Sequence, residues 1–147
     1  PELTYQEFLI DDLARRMVAV SETLDVVVLN NEHGDILADV ASGTIGGLGL
    51  SPSACYGENY AYFEPVHGSA PDLLGKDAIN PTAMLLSGAM MLDYLGYAEQ
   101  ARRLERALEE VYRDGSVLTI DQGGTASTSE FVSTVKQQLA NLSVLSS

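Results

Sequence analysis

Apolar residues near the start of the chain recur at spacings of three and four, which is the period of a helix with one buried face. This pattern predicts a helix over residues 4–20, with an apolar stripe made of Leu9, Leu13, Met17 and Val20. The β-branched run from Val26 to Leu29 is bounded by polar residues and predicts a short, buried strand of the parallel type. A turn at residues 30–34 and a helix over residues 35–42 are expected to follow.

The middle of the chain is predicted to be mostly irregular. Glycine and serine are frequent in residues 43–57, so we expect a connection there, with a short strand at residues 48–50. Residues 63–80 contain prolines and glycines but few periodic apolar positions, which predicts a long loop. Loops of this length in compact domains are usually functional.

Three helices are expected in the second half. The first follows Asn80, a good N-cap, and Pro81, and is apolar nearly all round until Gly96, which predicts a buried helix. The second is amphipathic over residues 98–114. The third opens at a capping-box spacing and points four apolar residues inward; these six residues are Ser127, Glu130, Phe131, Val135, Leu139 and Leu142. Alternating strands and helices of this kind indicate an α/β fold with an incomplete sheet.

Length and charge limit the classes of function. The chain has 147 residues, which is enough for one domain or two partial ones, and a formal net charge of -13. Such acidity disfavours nucleic acid and anionic membranes and favours cations. One cysteine, Cys55, excludes a disulfide framework, and we expect it to be a buried thiol. Neither a membrane span nor a secretion signal is indicated.

Three aspartates are candidate metal ligands. Asp35 and Asp39 are four residues apart on a predicted helix, so both carboxylates project from one face. Repulsion between them would be relieved by a hard cation such as Mg²⁺. A third carboxylate, from Asp11 or Asp12, lies in the first helix. By spacing alone, a solvated acidic face remains an alternative.

The loop from His67 to Asp72 has small residues that would let backbone N–H groups approach a ligand closely. Asp72 could accept hydrogen bonds from a ribose diol and would repel a 2′-phosphate. Asn80 could pair with an adenine edge or act only as a helix cap. His67 alone is more often structural, and Glu64 by itself is unremarkable.

Taken together, these motifs resemble the isocitrate and isopropylmalate dehydrogenases, a family of β-decarboxylating dehydrogenases. The resemblance runs through most of the chain. It is carried by four ordered segments: Asn31 to Asp39 (NEHGDILAD), Gly46 to Ser53 (GGLGLSPS), Phe63 to Asp72 (FEPVHGSAPD) and Asn80 to Ala83 (NPTA). Glu32, Ala38 and Asn30 depart from the residue types usual in the family, which affects substrate details more than the fold.

The resemblance implies a metal site and a nucleotide site. Asp35 and Asp39, with Asp11 supplied by the second subunit of a dimer, would hold Mg²⁺ or Mn²⁺ against a hydroxy acid substrate. The cofactor would be NAD, because Asp72 followed by Leu73 matches NAD-preferring members. The residues implied in its binding are Glu64, His67, Gly68, Ser69, Ala70, Asp72, Leu73 and Asn80.

The resemblance also implies an isopropylmalate-dehydrogenase-like α/β fold that is only partly present. Residues 1–45 would belong to the smaller, dimer-forming domain, and residues 46–147 to the C-terminal part of the larger nucleotide-binding domain. The catalytic tyrosine and lysine of the family match no position here. We therefore expect the C-terminal portion of such an enzyme, with no catalytic residue of its own and no turnover in isolation.

The expected parent enzyme oxidises and decarboxylates a malate-type 2-hydroxy acid: isopropylmalate, isocitrate, homoisocitrate or tartrate. We expect a homodimer in the cytoplasm, or in the mitochondrial matrix if the source is eukaryotic, without nucleic-acid or membrane partners. One alternative is a non-catalytic regulatory or assembly subunit of such an enzyme. Another is an acidic interaction domain, which would bind neither Mg²⁺ nor NAD.

Overall fold

The computed structural model describes residues 3–144. The chain divides into two compact units, Pro1–Ile45 and Gly46–Ser147. These bounds coincide with those of the two expected domains. The assignment of the units to a dimer-forming and a nucleotide-binding domain stays a prediction.

The first unit contains two helices that pack against each other, α1 (Ile10–Ala19) and α2 (Asn31–Thr44). Each helix buries one leucine of the unit's small core, Leu13 in α1 and Leu37 in α2. Helix α1 begins later than residue 4, where it was expected to start. Leu9 is 77% exposed, so no buried contact offsets the entropy of ordering the preceding residues as helix.

The predicted strand at residues 26–29 is wrong for this structure. These residues have no regular secondary structure, and Val26 and Val28 are 83% and 90% exposed. A strand needs a neighbour to bond its N–H and C=O groups, and no strand in residues 3–144 pairs with this run. The expected turn at residues 30–34 is instead the first turn of α2. The Asn30 side chain caps it by accepting a hydrogen bond from the His33 N–H at 3.0 Å.

The second unit is built from a two-stranded hairpin and three helices. Strands β1 (Pro52–Tyr56) and β2 (Ala61–Pro65) are antiparallel, with Ser53 opposite Glu64. Helix α3 (Thr82–Tyr94) packs against both strands and also against α4 (Ala98–Asp114), which in turn packs against α5 (Thr128–Val144). The buried core cluster consists of Ala107, Leu108, Val111, Phe131 and Val135.

The sequence did not predict the hairpin. Residues 48–50 form a single turn of 3-10 helix rather than a strand, and β1 starts two residues later. The last three residues of strand β2 lie in the predicted loop over residues 63–80, because an alternation of five residues is too short to be recognised as a strand pattern. Helix α3 is less buried than its composition suggests, since Met84 and Met91 are 55% and 41% exposed.

The last two helices confirm the sequence predictions. Helix α4 ends where Gly115 takes up a left-handed conformation, with φ of 69°. The capping box of α5 is formed in both directions: the Ser127 N–H donates to Glu130 Oε2 at 2.8 Å, and the Glu130 N–H donates to Ser127 Oγ at 3.2 Å. None of the helices within residues 3–144 is long and apolar enough to cross a membrane.

Candidate functional site

The first group of candidate ligands lies in the first unit. Asp35 and Asp39 are both exposed on α2, one helical turn apart. Asp35 receives one long hydrogen bond, from Asn31 Nδ2 at 3.5 Å. Within residues 3–144 neither carboxylate forms an ion pair. Two exposed carboxylates without a cationic partner are a donor set suited to a hard divalent cation.

The structure distinguishes the two aspartates of the first helix. Asp12 is paired with Arg15 at 2.6 Å and with Arg16 at 2.7 Å. The hydrogen bonds from Arg16 and Arg15 hold the pKa of Asp12 below its ordinary value. Asp11 is exposed, accepts only the N–H of Asp12 at 2.9 Å and forms no ion pair among the described residues. Of the two neighbours, Asp11 is therefore the one whose carboxylate is open to a cation.

Within residues 3–144, no three histidine, cysteine, aspartate or glutamate side chains are grouped so that they could hold a metal ion. The expectation assigns Asp11 to a second subunit, so one chain would present only Asp35 and Asp39 at a given site. The metal set stays a prediction.

The second group of candidate residues begins at the end of the hairpin. The Glu64 side chain on β2 is exposed, while its backbone carbonyl accepts a hydrogen bond from the buried Ser87 hydroxyl of α3 at 2.9 Å. Cys55 lies opposite Tyr62 in the hairpin and is exposed, so the expectation of a buried thiol is wrong. The pKa of Tyr62 is raised, first by a hydrogen bond with Cys55 and then by the negative charges of Cys55 and Glu64.

The loop after β2 is open to solvent at the expected residues. Gly68, Ser69 and Asp72 are exposed, and nothing lies within 4 Å of where a Cβ at Gly68 would be. Ala70 has a left-handed backbone, with φ of 44°, which turns the chain into a short 3-10 helix over Pro71–Leu73. These small, accessible residues leave room for a flat or anionic ligand.

His67 is half-buried at the start of the same loop. Its Nδ1 lies 2.8 Å from the Gly68 carbonyl oxygen, and only the ring can donate in that contact. In the neutral ring, Nε2 is then left as an acceptor. His67 therefore has a structural hydrogen bond and one ring nitrogen still available.

The end of the loop is fastened to the start of α5. The Asp77 carboxylate accepts from the Ser129 N–H at 3.1 Å and from the Ser129 hydroxyl at 3.0 Å. The Asp77 carbonyl accepts from the Thr128 N–H at 2.8 Å, and the Thr128 hydroxyl donates to the Ile79 carbonyl. At the other end, the Val66 N–H donates to the Ser51 carbonyl at 3.1 Å. The exposed residues thus lie between two fixed ends.

Asn80 is held by a hydrogen-bond network and is only 4% exposed. Its Oδ1 accepts from the Thr82 N–H at 3.0 Å, so the side chain bonds to the first residue of α3, but the N-cap of that helix is Pro81 rather than Asn80. Its Nδ2 donates to Asp121 Oδ2 at 3.0 Å and to the Tyr112 hydroxyl at 3.2 Å. The side chain is therefore occupied, whereas the Asn80 peptide N–H and C=O make no hydrogen bond among the described residues.

Sequence reasoning missed the residues that surround Asn80. Asp121 also accepts from Thr119 Oγ1 at 2.6 Å and from Gln122 Nε2 at 3.0 Å. Partial burial would raise the pKa of Asp121, but hydrogen bonds from Thr119, Gln122 and Asn80 outweigh it, and the pKa lies below the ordinary value. The local signal was a turn alone, in which Gly123 and Gly124 follow Asp121 and Gln122, whereas the contact with Asn80 spans 41 residues of sequence.

The chain belongs to the isocitrate/isopropylmalate dehydrogenase family, whose model matches residues 1–135. A relative named isocitrate/homoisocitrate dehydrogenase, from Thermus thermophilus, is 49% identical over 142 residues. Those residues are 97% of this chain and 42% of the relative. The family recognised from the motifs is thereby confirmed.

Several mitochondrial relatives carry NAD in their names, and two of them differ in the role that the name gives. One is catalytic isocitrate dehydrogenase [NAD] from Arabidopsis thaliana, 44% identical over 95% of this chain and 37% of its own length. The other is named as a regulatory subunit of isocitrate dehydrogenase [NAD], comes from Dictyostelium discoideum, and is 46% identical over 89% of this chain and 37% of its own length. Overall identity therefore does not separate catalytic from regulatory subunits.

The structural comparison confirms the expected fold. The isocitrate dehydrogenase of Methylococcus capsulatus superposes with a TM-score of 0.85 at 42% identity, covering 88% of this chain and 39% of that one. The fold is thus that of an isocitrate or isopropylmalate dehydrogenase, in part. The chain spans about two-fifths of the length of the relatives it matches.

Proposed function

We propose that the chain is the C-terminal portion of an NAD-dependent, Mg²⁺- or Mn²⁺-dependent enzyme that oxidises and decarboxylates a malate-type 2-hydroxy acid. The substrate would be isopropylmalate, isocitrate, homoisocitrate or tartrate. The observation that carries this proposal is the loop between β2 and α3, open at its small residues and at Asp72 but fixed at Val66 and at Asp77.

In this proposal the loop binds the dinucleotide. The exposed Asp72 carboxylate would accept hydrogen bonds from the ribose hydroxyls and would repel the 2′-phosphate of NADP. Gly68, Ser69 and Ala70 would admit the ligand close to the backbone. Because the Asn80 side chain is occupied, its contact with adenine would come from the peptide group.

The metal site is the second half of the proposal. Asp35 and Asp39, with Asp11 of a second subunit, would hold Mg²⁺ or Mn²⁺, which supplies Lewis-acid stabilisation of negative charge on a substrate oxygen. The role of these side chains is to bind and orient the cation. Their exposure and their lack of ion pairs among the described residues support this role.

Nucleotide binding is tested by thermal unfolding of the 147-residue chain with NAD or NADP. NAD at about ten times its Kd should stabilise the fold by about 1.4 kcal/mol, raising Tm by about 3–6 °C. Asp72→Asn should reduce the rise in Tm that NAD causes, and the rise with NAD should then differ less from the rise with NADP. Asp93→Asn, which changes an exposed aspartate on α3, should respond as the wild type does. A wild-type chain whose Tm is unmoved by NAD would contradict the proposal and favour an acidic interaction domain.

The metal site is tested by sedimentation with and without Mn²⁺. If a second subunit completes the ligand set, Mn²⁺ should promote dimers of the wild type but not of Asp39→Asn. Asp25→Asn, an exposed change elsewhere in the first unit, is the matched control. If Mn²⁺ still promotes dimers of Asp39→Asn, then Asp39 is not a ligand of the metal.

Turnover is a separate test. The chain should give no NADH from isopropylmalate or isocitrate with NAD and Mn²⁺, because no residue here supplies the proton-transfer tyrosine and lysine. Robust turnover would contradict the proposal that these essential groups are missing.

The second candidate is a non-catalytic regulatory or assembly subunit, and the regulatory relative from Dictyostelium discoideum favours it. It also predicts nucleotide or metal binding without turnover. The source reading frame separates the two candidates. A tyrosine and a lysine in the family context, encoded ahead of Pro1, would favour the enzyme.

A further inference from the structure

The carboxylate of Asp121 connects its own loop with Asn80, which lies 41 residues away in sequence. One oxygen, Oδ2, accepts from Asn80 Nδ2 and from Gln122 Nε2, each at 3.0 Å, and Oδ1 accepts from Thr119 Oγ1 at 2.6 Å. Gln122 Nε2 also donates to the Gly46 carbonyl at 2.9 Å. Asp121 thereby joins its own loop to Asn80, and the neighbouring Gln122 side chain joins the same loop to Gly46.

Packing leaves little freedom at this junction. A Cβ on Gly49 would lie 3.0 Å from Asp121 Oδ2 and 3.2 Å from Asn80 Cβ, so only glycine fits there without a shift. Thr119, which donates to the carboxylate, is fully buried. The charged carboxylate of Asp121 holds each of these donors in a fixed orientation more strongly than a neutral acceptor would.

The residue most affected is Asn80. Its two amide hydrogens go to Asp121 and Tyr112, and its Oδ1 accepts from Thr82. Without the Asp121 carboxylate, one amide hydrogen would lose its acceptor in a site that is 4% exposed. Losing that acceptor would remove one of the three side-chain hydrogen bonds that fix the position of Asn80, and the restraint on its peptide group would weaken.

We propose that Asp121 is a positioning residue that orients the Asn80 peptide toward the adenine base of a bound dinucleotide. The inference rests on the proposed nucleotide site. Asp121 acts on Asn80 through the side-chain amide and need not touch the ligand. Its loss should therefore weaken recognition of the base rather than of the phosphates or ribose.

Calorimetric titration of the full chain with two dinucleotides tests this inference. In nicotinamide hypoxanthine dinucleotide the adenine amino group is replaced by a carbonyl, so the edge recognised by a peptide group is altered. The wild type should prefer NAD. Asp121→Asn replaces the charged acceptor with a neutral amide that has one acceptor oxygen instead of two, so this variant should bind NAD about tenfold more weakly and should no longer distinguish the two ligands. Asp93→Asn should behave as the wild type does.

A general loss of folding would weaken the binding of both dinucleotides equally and would leave the preference for NAD unchanged. If the wild type binds neither dinucleotide, the proposed nucleotide site fails and the inference fails with it. If the wild type prefers NAD and Asp121→Asn keeps that preference within about twofold, the inference alone is overturned. If circular dichroism shows that Asp121→Asn does not fold, the same titration is carried out with Thr119→Val instead. It removes one donor to the carboxylate at nearly constant volume and should reduce the preference about threefold, and an unchanged preference would overturn the inference.

Discussion

The hydroxyl of Ser87 lies 2.9 Å from the backbone carbonyl oxygen of Glu64. Ser87 is 1% exposed in the middle of α3, and its Oγ is also 2.9 Å from the Ala83 carbonyl of the same helix. The Ser53 N–H of β1 donates to the same Ser87 hydroxyl oxygen, Oγ, at 3.4 Å. One buried hydroxyl thus joins the helix to both strands of the hairpin, directly beneath the candidate nucleotide residue Glu64.

Ser87→Ala should lower the free energy of unfolding by about 1–2 kcal/mol, because the Glu64 carbonyl loses the buried hydroxyl that donates to it. Urea unfolding followed by circular dichroism measures this change. Ser133→Ala is the matched control, since its exposed hydroxyl bonds only to the Ser129 carbonyl of its own helix, and it should cost no more than about 0.5 kcal/mol. Equal costs for the two variants would show that the contact between Ser87 and Glu64 adds no stability.

Asp77→Ala should destabilise the chain by about 1 kcal/mol, since it removes the side-chain acceptor for Ser129 at the start of α5. Asp77 also has a left-handed backbone, with φ of 50°. Asp77→Gly should therefore cost less than Asp77→Ala, because glycine adopts this conformation without a steric penalty. Thermal unfolding of both variants gives the order. Asp93→Ala, near the C-terminal end of α3, should not destabilise, and a greater loss for the glycine variant would argue against backbone strain at Asp77.

Gly124→Ala should be strongly destabilising, by about 3 kcal/mol or more. A Cβ there would lie 2.0 Å from the Leu118 carbonyl oxygen, and backbone on both sides would have to move. Gly88→Ala is the contrasting control, because nothing lies within 4 Å of its Cβ position in α3. That variant should be stabilised by about 0.5–1 kcal/mol through helix propensity. Urea midpoints measure both effects, and a well-tolerated Gly124→Ala would show that the loop has more room than its backbone indicates.

Asp121 should make stability depend on pH in the acid range. Its pKa in the folded state is lowered, despite partial burial, by the hydrogen bonds from Thr119, Gln122 and Asn80. The stabilisation is therefore complete above the unfolded pKa of about 4 and is lost as the pH falls through the folded pKa. The gap in unfolding free energy between wild type and Asp121→Asn should narrow as the pH falls from about 5 to about 3. A gap that stays constant over that range would mean that the carboxylate charge contributes nothing.

The elements predicted well from sequence are those whose signals are local. The capping box at Ser127 and Glu130 and the amphipathic period of α4 involve residues within a few positions of one another, so a helix alone accounts for them. The start of α2 was misplaced because Asn30 was interpreted as part of a turn rather than as a cap. The run from Val26 to Leu29 failed as a strand because strand formation depends on a neighbour that the run itself does not specify.

The sequence by itself determined the family, the candidate ligands and most helix ends, because several ordered motifs and local hydrogen bonds can be recognised along one chain. Only the tertiary structure decided how those residues are held. It bonded the Asn80 side chain to Tyr112 and to Asp121, across 32 and 41 residues of sequence, and placed the Ser87 hydroxyl against the Glu64 carbonyl across 23 residues. Such contacts join segments whose separation along the chain carries no information about distance, so packing and buried hydrogen bonding alone could reveal them.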